Sequence, residues 1–399
     1  LETPWRARSD HRRWLRSEAD RLFRFYEAAS LDTQGGFFTL DDSGAPMPAV
    51  TEKPLHQTAR MAHCAAIGVL LGRPGAYDLL DHAMAALWMR HRDPVHGGYL
   101  WSFDADGPRD RQKLAYGHAF VLLAASSAKC AGHPQADRLL ADIAEVLRAR
   151  FWEARYGASA EEFGEDWAPF SDYRGQNANM HLTEALMAAF EATGEADFLA
   201  RAESIADLIL NRRARAAGWR VPEHYRSDWT VDLDYRGSDM FRPFGYTPGH
   251  ALEWTRLALQ LSALGGRRLS WLPEAAAGLF AQAVAQGWDA ERGGLYYTLN
   301  YDGSPRVRDR LWWPICEGIG AAHFLGTAEV WYRRFWDFAA RRLIDARRGG
   351  WRCQLDDDLR PIPGYFAGKP DIYHALQACL IPLYGVEGSL TQEIATTGP

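Results

Sequence analysis

"GGYLW", residues Gly97 to Trp101, sets two glycines against a run of aromatic and aliphatic side chains. Adjacent glycines admit backbone angles closed to other residues, so the stretch reads as a tight turn into a short extended segment. One such turn decides nothing, but its recurrence does. Gly35-Gly36-Phe37-Phe38, Gly293-Gly294-Leu295-Tyr296-Tyr297 and Gly349-Gly350-Trp351 repeat it, with weaker copies at Arg155-Tyr156-Gly157 and Gly218-Trp219-Arg220. Successive copies usually stand about sixty residues apart, and periodicity of this kind outranks local propensity as evidence for architecture.

Between the turns, two kinds of helix alternate. Ala136 to Arg150 is amphipathic: Leu139, Ile143 and Leu147 line one side, and Asp142, Glu145 and Arg148 the other. Similar half-exposed segments run through 11–30, 76–92, 195–213, 273–287 and 328–345. The second kind, typified by Ala119 to Ala125, is apolar nearly all round and begins near 55, 114, 178, 248, 314 and 371. A helix apolar on every face is buried. Six exposed and six buried helices in alternation predict an all-α (α/α)6 barrel. Its Gly-aromatic turns form short β-hairpins that join outer to inner helices at one end. The barrel is expected over 1–385, with 386–399 a flexible tail.

The 399-residue chain is 47% hydrophobic and 24% charged, ordinary for a globular protein. A net charge of -6 offers no field for nucleic acid or an anionic membrane. No stretch reaches a membrane-spanning length, and the N-terminal LETPWRARSD lacks the apolar run of a signal peptide. The five cysteines contain no Cys-x-x-Cys, and read as reduced thiols of a cytoplasmic protein.

Polar residues gather where the apolar helices begin. The first inner helix carries His56 and Arg60, the second Tyr116 and His118. The third reads Gln176-Asn177-Ala178-Asn179-Met180-His181, followed by Glu184. The fourth opens on Thr247 as cap and Pro248 as first residue, then His250 and Glu253 one turn apart. The fifth has Trp312-Trp313-Pro314 and Glu317, the sixth Pro370-Asp371-Ile372-Tyr373-His374. Ionisable groups at one end of six dry helices make a polar cup for a small molecule. Each has a plainer reading: Glu253 and Glu317 as helix N-terminal charges, the Trp pair as packing, His63 and His323 as core histidines. A histidine at a helix N-terminus is held neutral by the dipole, the form a general base requires. Arg60 and the Asn side chains suit a developing oxyanion. The absence of His-x-x-x-His, paired cysteines or a dense carboxylate motif supplies no metal ligand set.

Gln176-Asn177-x-Asn179-Met180-His181, Gly249-His250-x-x-Glu253-Trp254 and Tyr373-His374-x-x-Gln377 resemble the N-acylglucosamine 2-epimerase superfamily, and within it the branch of aldose–ketose isomerases acting on mannose. The resemblance covers essentially the whole chain. It implies the same barrel, a monosaccharide substrate, no metal or nucleotide cofactor, and two acid/base histidines falling on His250 and His374. Around them the reading of the helix starts sets Glu253, His181 and Arg60 as further catalytic candidates and Asn177, Asn179, Tyr116, His118, Glu317, Trp312 and Trp313 as substrate contacts. In an isomerase one histidine, assigned to His374, takes the C2 proton and returns it to C1; a 2-epimerase would use His250 on the opposite face. Glycoside hydrolysis stays open through Glu253 and Glu317, since that chemistry needs two flanking carboxylates. A non-catalytic sugar-binding role would leave the histidines unexplained, and assembly into a homo-oligomer stays open. The long connections Tyr156–Gly175 and Trp219–Tyr246, carrying Trp167, Tyr173, His224, Tyr225, Trp229 and Arg236, are expected to wall the cup.

Overall fold

Twelve helices alternate between two rings in the computed structural model, which describes residues 4–27 and 29–398. The outer ring holds α1 (Ser9–Glu27), α3 (Ala76–Ala86), α5 (Ala136–Val146), α7 (Ala196–Ala206), α9 (Trp271–Gly287) and α11 (Glu329–Phe338). The inner ring holds α2 (Leu55–Leu70), α4 (Ala115–Cys130), α6 (Gln176–Thr193), α8 (Pro248–Leu264), α10 (Trp312–Leu325) and α12 (Tyr373–Leu380). Neighbouring inner helices touch in sequence, α12 returns to α2, and each outer helix packs on an inner one. This is the (α/α)6 barrel. Helix character follows placement: α4 is buried continuously from Gly117 to Ala128, whereas α5 buries only Ala136, Leu139, Leu140 and Ile143. Four outer helices, α3, α5, α7 and α11, end in a widened π turn that leads to the glycine turn. No helix among the described residues is long and apolar enough to cross a membrane.

The hairpins interlock. The residue two places before each of the first five inner helices pairs with a strand of the next hairpin: Lys53 with Phe103, Lys113 with Phe163, Arg174 with Tyr225, Tyr246 with Leu299 and Arg310 with Leu355. Lys369 pairs with Leu40 and closes the circle. Five of these residues are cations, and each meets the acid that opens its own glycine turn. The pairs are Lys53–Asp32 at 3.2 Å, Lys113–Asp93 at 2.9 Å, Arg174–Glu153 at 2.7 Å, Arg310–Asp289 at 2.6 Å and Lys369–Asp345 at 3.4 Å. In three of them the other carboxylate oxygen accepts two backbone N–H groups of the turn, as Asp93 does from Val95 and His96. One acid thus shapes the turn and anchors it. The fourth turn departs: Ala214, buried, and Tyr246, half-buried, stand in the corresponding places, without charge.

Glycine is required at Gly98, where φ is +75° and a Cβ would lie 2.6 Å from the Trp167 ring. At the far end, the segment expected to trail from 386 onward is instead tied to the barrel; Pro399 lies outside the described residues. It forms α13 (Leu390–Thr397), which contacts α2, α4 and α6 and buries Thr391 and Ile394. Glu191 accepts the Ser389 N–H, and Glu393 accepts those of Glu387 and Gly388, so the approach to α13 is satisfied and fixed.

Lys113→Met would leave Asp93 buried without its counter-charge and should destabilise the fold by about 3–5 kcal/mol, read as a lower denaturant midpoint. Burial pushes the Asp93 carboxyl up, but Lys113 and the turn N–H groups more than offset this and hold it at about 2. A depressed carboxyl stabilises above its unfolded value and loses that contribution as pH falls. The wild type should therefore lose stability between the ordinary 3.8 and about 2, in a step diminished in Lys113→Met.

Candidate active site

The first turns of all six inner helices meet around one cavity. It is lined by His56 and Arg60 of α2, Tyr116 of α4, Asn177 and His181 of α6, His250 and Glu253 of α8, Trp312 and Trp313 of α10, and His374 of α12. Met240, Phe241 and Phe366 come from connections and cover it. Helix starts explain the convergence. Thr247 caps α8 and Pro248 takes its first position, which sets His250 at the mouth and Glu253 one turn deeper. Asp371 accepts the Tyr373 N–H at 2.9 Å, so α12 begins at Tyr373, slightly later than Pro370 suggests, with His374 in its first turn.

Two histidines stand in matching settings. His374 Nδ1 lies 2.8 Å from Glu317 Oε1, and His250 Nδ1 lies 2.9 Å from both oxygens of Glu223. The Trp313 indole lies against both, with ring centroids 5.0 Å from His250 and 5.9 Å from His374. Each carboxylate accepts the Nδ1–H as a hydrogen bond, which leaves Nε2 as the base nitrogen. Burial pulls His374 below the ordinary imidazole value, against the opposing pull of Glu317. His181 falls further, to about 4, again chiefly through burial. Exclusion from water, more than a helix dipole, therefore keeps these two rings neutral.

Beneath them, Arg256 gathers three acids: Glu184 at 3.1 Å, Glu317 at 3.3 Å and Glu253 at 3.9 Å. One guanidinium cannot neutralise three anions in a dry site. Burial and the nearby Glu317 charge raise Glu253 well above the carboxylate range, so it holds a proton. Glu184 and Glu317 are pushed up by burial but drawn below their ordinary values by Arg256 and by adjoining histidines. Neither Glu253 oxygen has a hydrogen-bond partner, and His181 Nδ1 lies 3.5 Å away. A neutral carboxyl on the cavity wall is a proton donor to a ligand oxygen. Arg60 is held by Asp371 at 3.2 Å and by the Tyr116 hydroxyl at 2.9 Å. Since the guanidinium only donates, the Tyr116 proton stays available to a ligand.

Three residues expected at the cavity do not line it. Asn179 is spent on the backbone, accepting Ser159 N–H and donating to the carbonyls of Ser159 and Gly175. His118 accepts the Tyr99 N–H at 3.0 Å and donates to Leu114 O at 2.8 Å, which ties a hairpin to α4. Glu317 stands behind His374. The second long connection reaches the cavity, as expected, but through Met240 and Phe241 and not through His224, Tyr225, Trp229 or Arg236. The first stays behind the wall: Trp167 packs on Phe151 and Phe163, while Glu162 holds Arg242 beside Phe241 at 2.5 Å.

Sequence reasoning missed Glu223, Arg256, Asp371 and the covering Met240, Phe241 and Phe366. For Glu223 a signal existed in the repeats. The carbonyls of Trp101, Glu161, Glu223 and Cys353 each accept the N–H of the first residue of an inner helix, Leu55, Ala115, Gln176 and Trp312. Aligning the turns would have placed the side chain of this hairpin position beside the next helix start.

Two clusters of acids and histidine among the described residues come close enough to hold a cation, Asp93–His96–Glu165 and His181–Glu184–Glu253. Both already face protein cations: Lys113 and Arg111 at the first, Arg256 at the second. A divalent ion would have to compete with those cations at either cluster.

The N-acylglucosamine 2-epimerase (GlcNAc 2-epimerase) family model matches residues 35–378. The chain is 45% identical over 410 residues to a D-mannose isomerase of Thermobifida fusca, covering 99% of this chain and 100% of that one. It is 42% identical over 406 residues to a D-mannose isomerase of Pseudomonas cannabina pv. alisalensis, covering 98% and 97%. A crystal structure of D-mannose isomerase superposes with a TM-score of 0.87 at 31% identity, over 96% of this chain and 99% of that one. With the match extending from the first glycine turn to the helix of His374, the chain belongs to the N-acylglucosamine 2-epimerase family.

Proposed function

We propose that this enzyme is an aldose–ketose isomerase interconverting D-mannose and D-fructose, with His374 as the carbon base. One observation carries the assignment of roles: two histidines on one dry cavity, each with Nδ1 held by a buried carboxylate. In open-chain mannose, removal of the C2 proton by neutral His374 Nε2 gives a cis-enediolate across C1 and C2. Return of that proton to C1, with the hydroxyl proton moving from O2 to O1, gives fructose. His250 sits across Trp313 from His374 and suits the proton transfer between oxygens. Arg60, the Tyr116 hydroxyl and the neutral Glu253 carboxyl are donors for oxygens that gain charge, a preorganised setting of the kind that stabilises enolates.

Hydrolysis of a glycoside fits poorly. It requires two carboxylates facing one bond, and only Glu253 lines the cavity, because Glu317 is engaged by His374 and Arg256.

His374→Ala should abolish turnover, and His250→Ala should lower kcat by about 10²–10⁴-fold, the usual worth of general acid–base groups. Incubation with mannose in deuterated water, followed by NMR, should give fructose with deuterium at C1 or with protium carried over from C2. Glucose labelled at C2 as the main product would instead make the enzyme a 2-epimerase. The base must be neutral and its pKa is lowered, so the acid limb of kcat/KM should fall below the ordinary 6.5. Because Arg256 and Arg60 already pair with the acids of the cup, prolonged chelation should leave kcat unchanged. Loss restored by a divalent ion would refute that.

A further inference from the structure

His250 Nδ1 is approached by three atoms: both Glu223 oxygens and Gln176 Nε2, each at 2.9 Å. Which of them carries hydrogen is settled one residue further out. The indole N–H of Trp254 can only donate, and it lies 2.7 Å from Gln176 Oε1. The amide oxygen therefore faces Trp254, and the amide NH₂ faces Glu223, 2.7 Å from Oε2. An NH₂ group cannot accept. A bare Nδ1 would aim its lone pair at a carboxylate, so Nδ1 keeps its proton, Glu223 accepts it, and the lone pair is on Nε2.

We infer that Gln176, oriented by Trp254, is a positioning residue that fixes the base tautomer of His250 through Glu223. All four side chains are buried, so water does not compete for these bonds. The setting differs from that of His374 in one respect. Glu317 shares its charge with Arg256, whereas the one ion-pair partner of Glu223 among the described residues is His250. The charge of Glu223 is therefore directed at His250 and holds its Nδ1–H. His224, the other histidine near Glu223, is turned away: Nδ1 meets the Tyr173 hydroxyl at 2.9 Å and Nε2 meets Pro243 O at 2.8 Å. If the amide turned over, Oε1 would confront Glu223 and compete for the Nδ1 proton. Neither Glu223 nor the tautomer would then be fixed.

The inference rests on His250 acting in the proposed reaction, but its direct test does not. Nitrogen NMR of histidine-labelled, substrate-free protein reports the tautomer, with His250 assigned by comparison with His250→Ala. The wild type should show Nδ1 protonated and Nε2 bare, and Gln176→Leu should show a mixture. In mannose turnover Gln176→Leu should lower kcat on the order of 10-fold with KM little changed, as loss of an orienting outer group does. Gln176→Glu keeps the size, and only its protonated form can donate to Glu223. Its kcat/KM relative to wild type should therefore rise as pH falls from about 8 to about 6, the range in which a buried acid beside a carboxylate gains its proton. An unchanged His250 tautomer in Gln176→Leu, or a flat ratio for Gln176→Glu, would overturn the inference. Wild-type protein inert toward mannose would refute the functional reading, and the NMR result would still decide the tautomer.

Discussion

A buried cation beside a buried acid fastens the rim of this barrel, and much of the rest depends on that pairing. Lys113 and Asp93 show why. The acid folds its own glycine turn through backbone N–H groups, and its second oxygen holds the lysine that leads into α4. Isolated, such a turn is a marginal two-stranded ribbon. Locked to the start of a helix and to the next hairpin, it becomes one segment of a closed ring. Helix starts at matched height follow from that ring, and so does the convergence of His56, Tyr116, His181, His250, Trp313 and His374.

The cavity shows what a ring of helix starts does to charge. Every acid near it is answered, and answered unequally. Arg256 satisfies Glu184 and Glu317 but leaves Glu253 to keep its proton. Asp371 and Tyr116 hold Arg60 in place. A carbonyl compound entering here meets neutral bases, neutral acids and one fixed cation, with little water among them. That is the environment in which a weakly acidic C–H bond can be broken without the base first being trapped as its conjugate acid.

The barrel was legible in the sequence because its signal is periodic: glycine turns recur, and buried and half-exposed helices differ in composition. The cup was legible for the same reason, since residues of an inner helix's first turn share a place in every repeat. Asn179 and His118 mark the limit of that reasoning. They occupy equivalent helix positions, yet backbone groups of Ser159 and Tyr99 claim them, and sequence spacing does not reveal a carbonyl or an N–H. Glu223 and Phe241 failed differently. Both lie in the one connection whose length breaks the repeat, where Ala214 and Tyr246 replace the charged pair; Glu223 still shares the register of Trp101, Glu161 and Cys353, but their unlike side chains hide it, and no register pointed to Phe241. The tail was misread because Thr391 and Ile394 form too short an apolar pattern to announce a docked helix.

That docked helix carries a consequence for what the enzyme can accept. The chain from Gly385 to Leu390 lies at the end of the inner ring away from His250 and His374, where it encloses a separate small cavity with His63, Gln260 and Gln377. The cup is therefore a cul-de-sac, not a tunnel. A guest must enter end-first and back out by the way it came, and a polymer cannot be threaded past the histidines residue by residue. Such a shape suits a molecule whose reacting carbons lie at one end, as C1 and C2 of an open-chain sugar do.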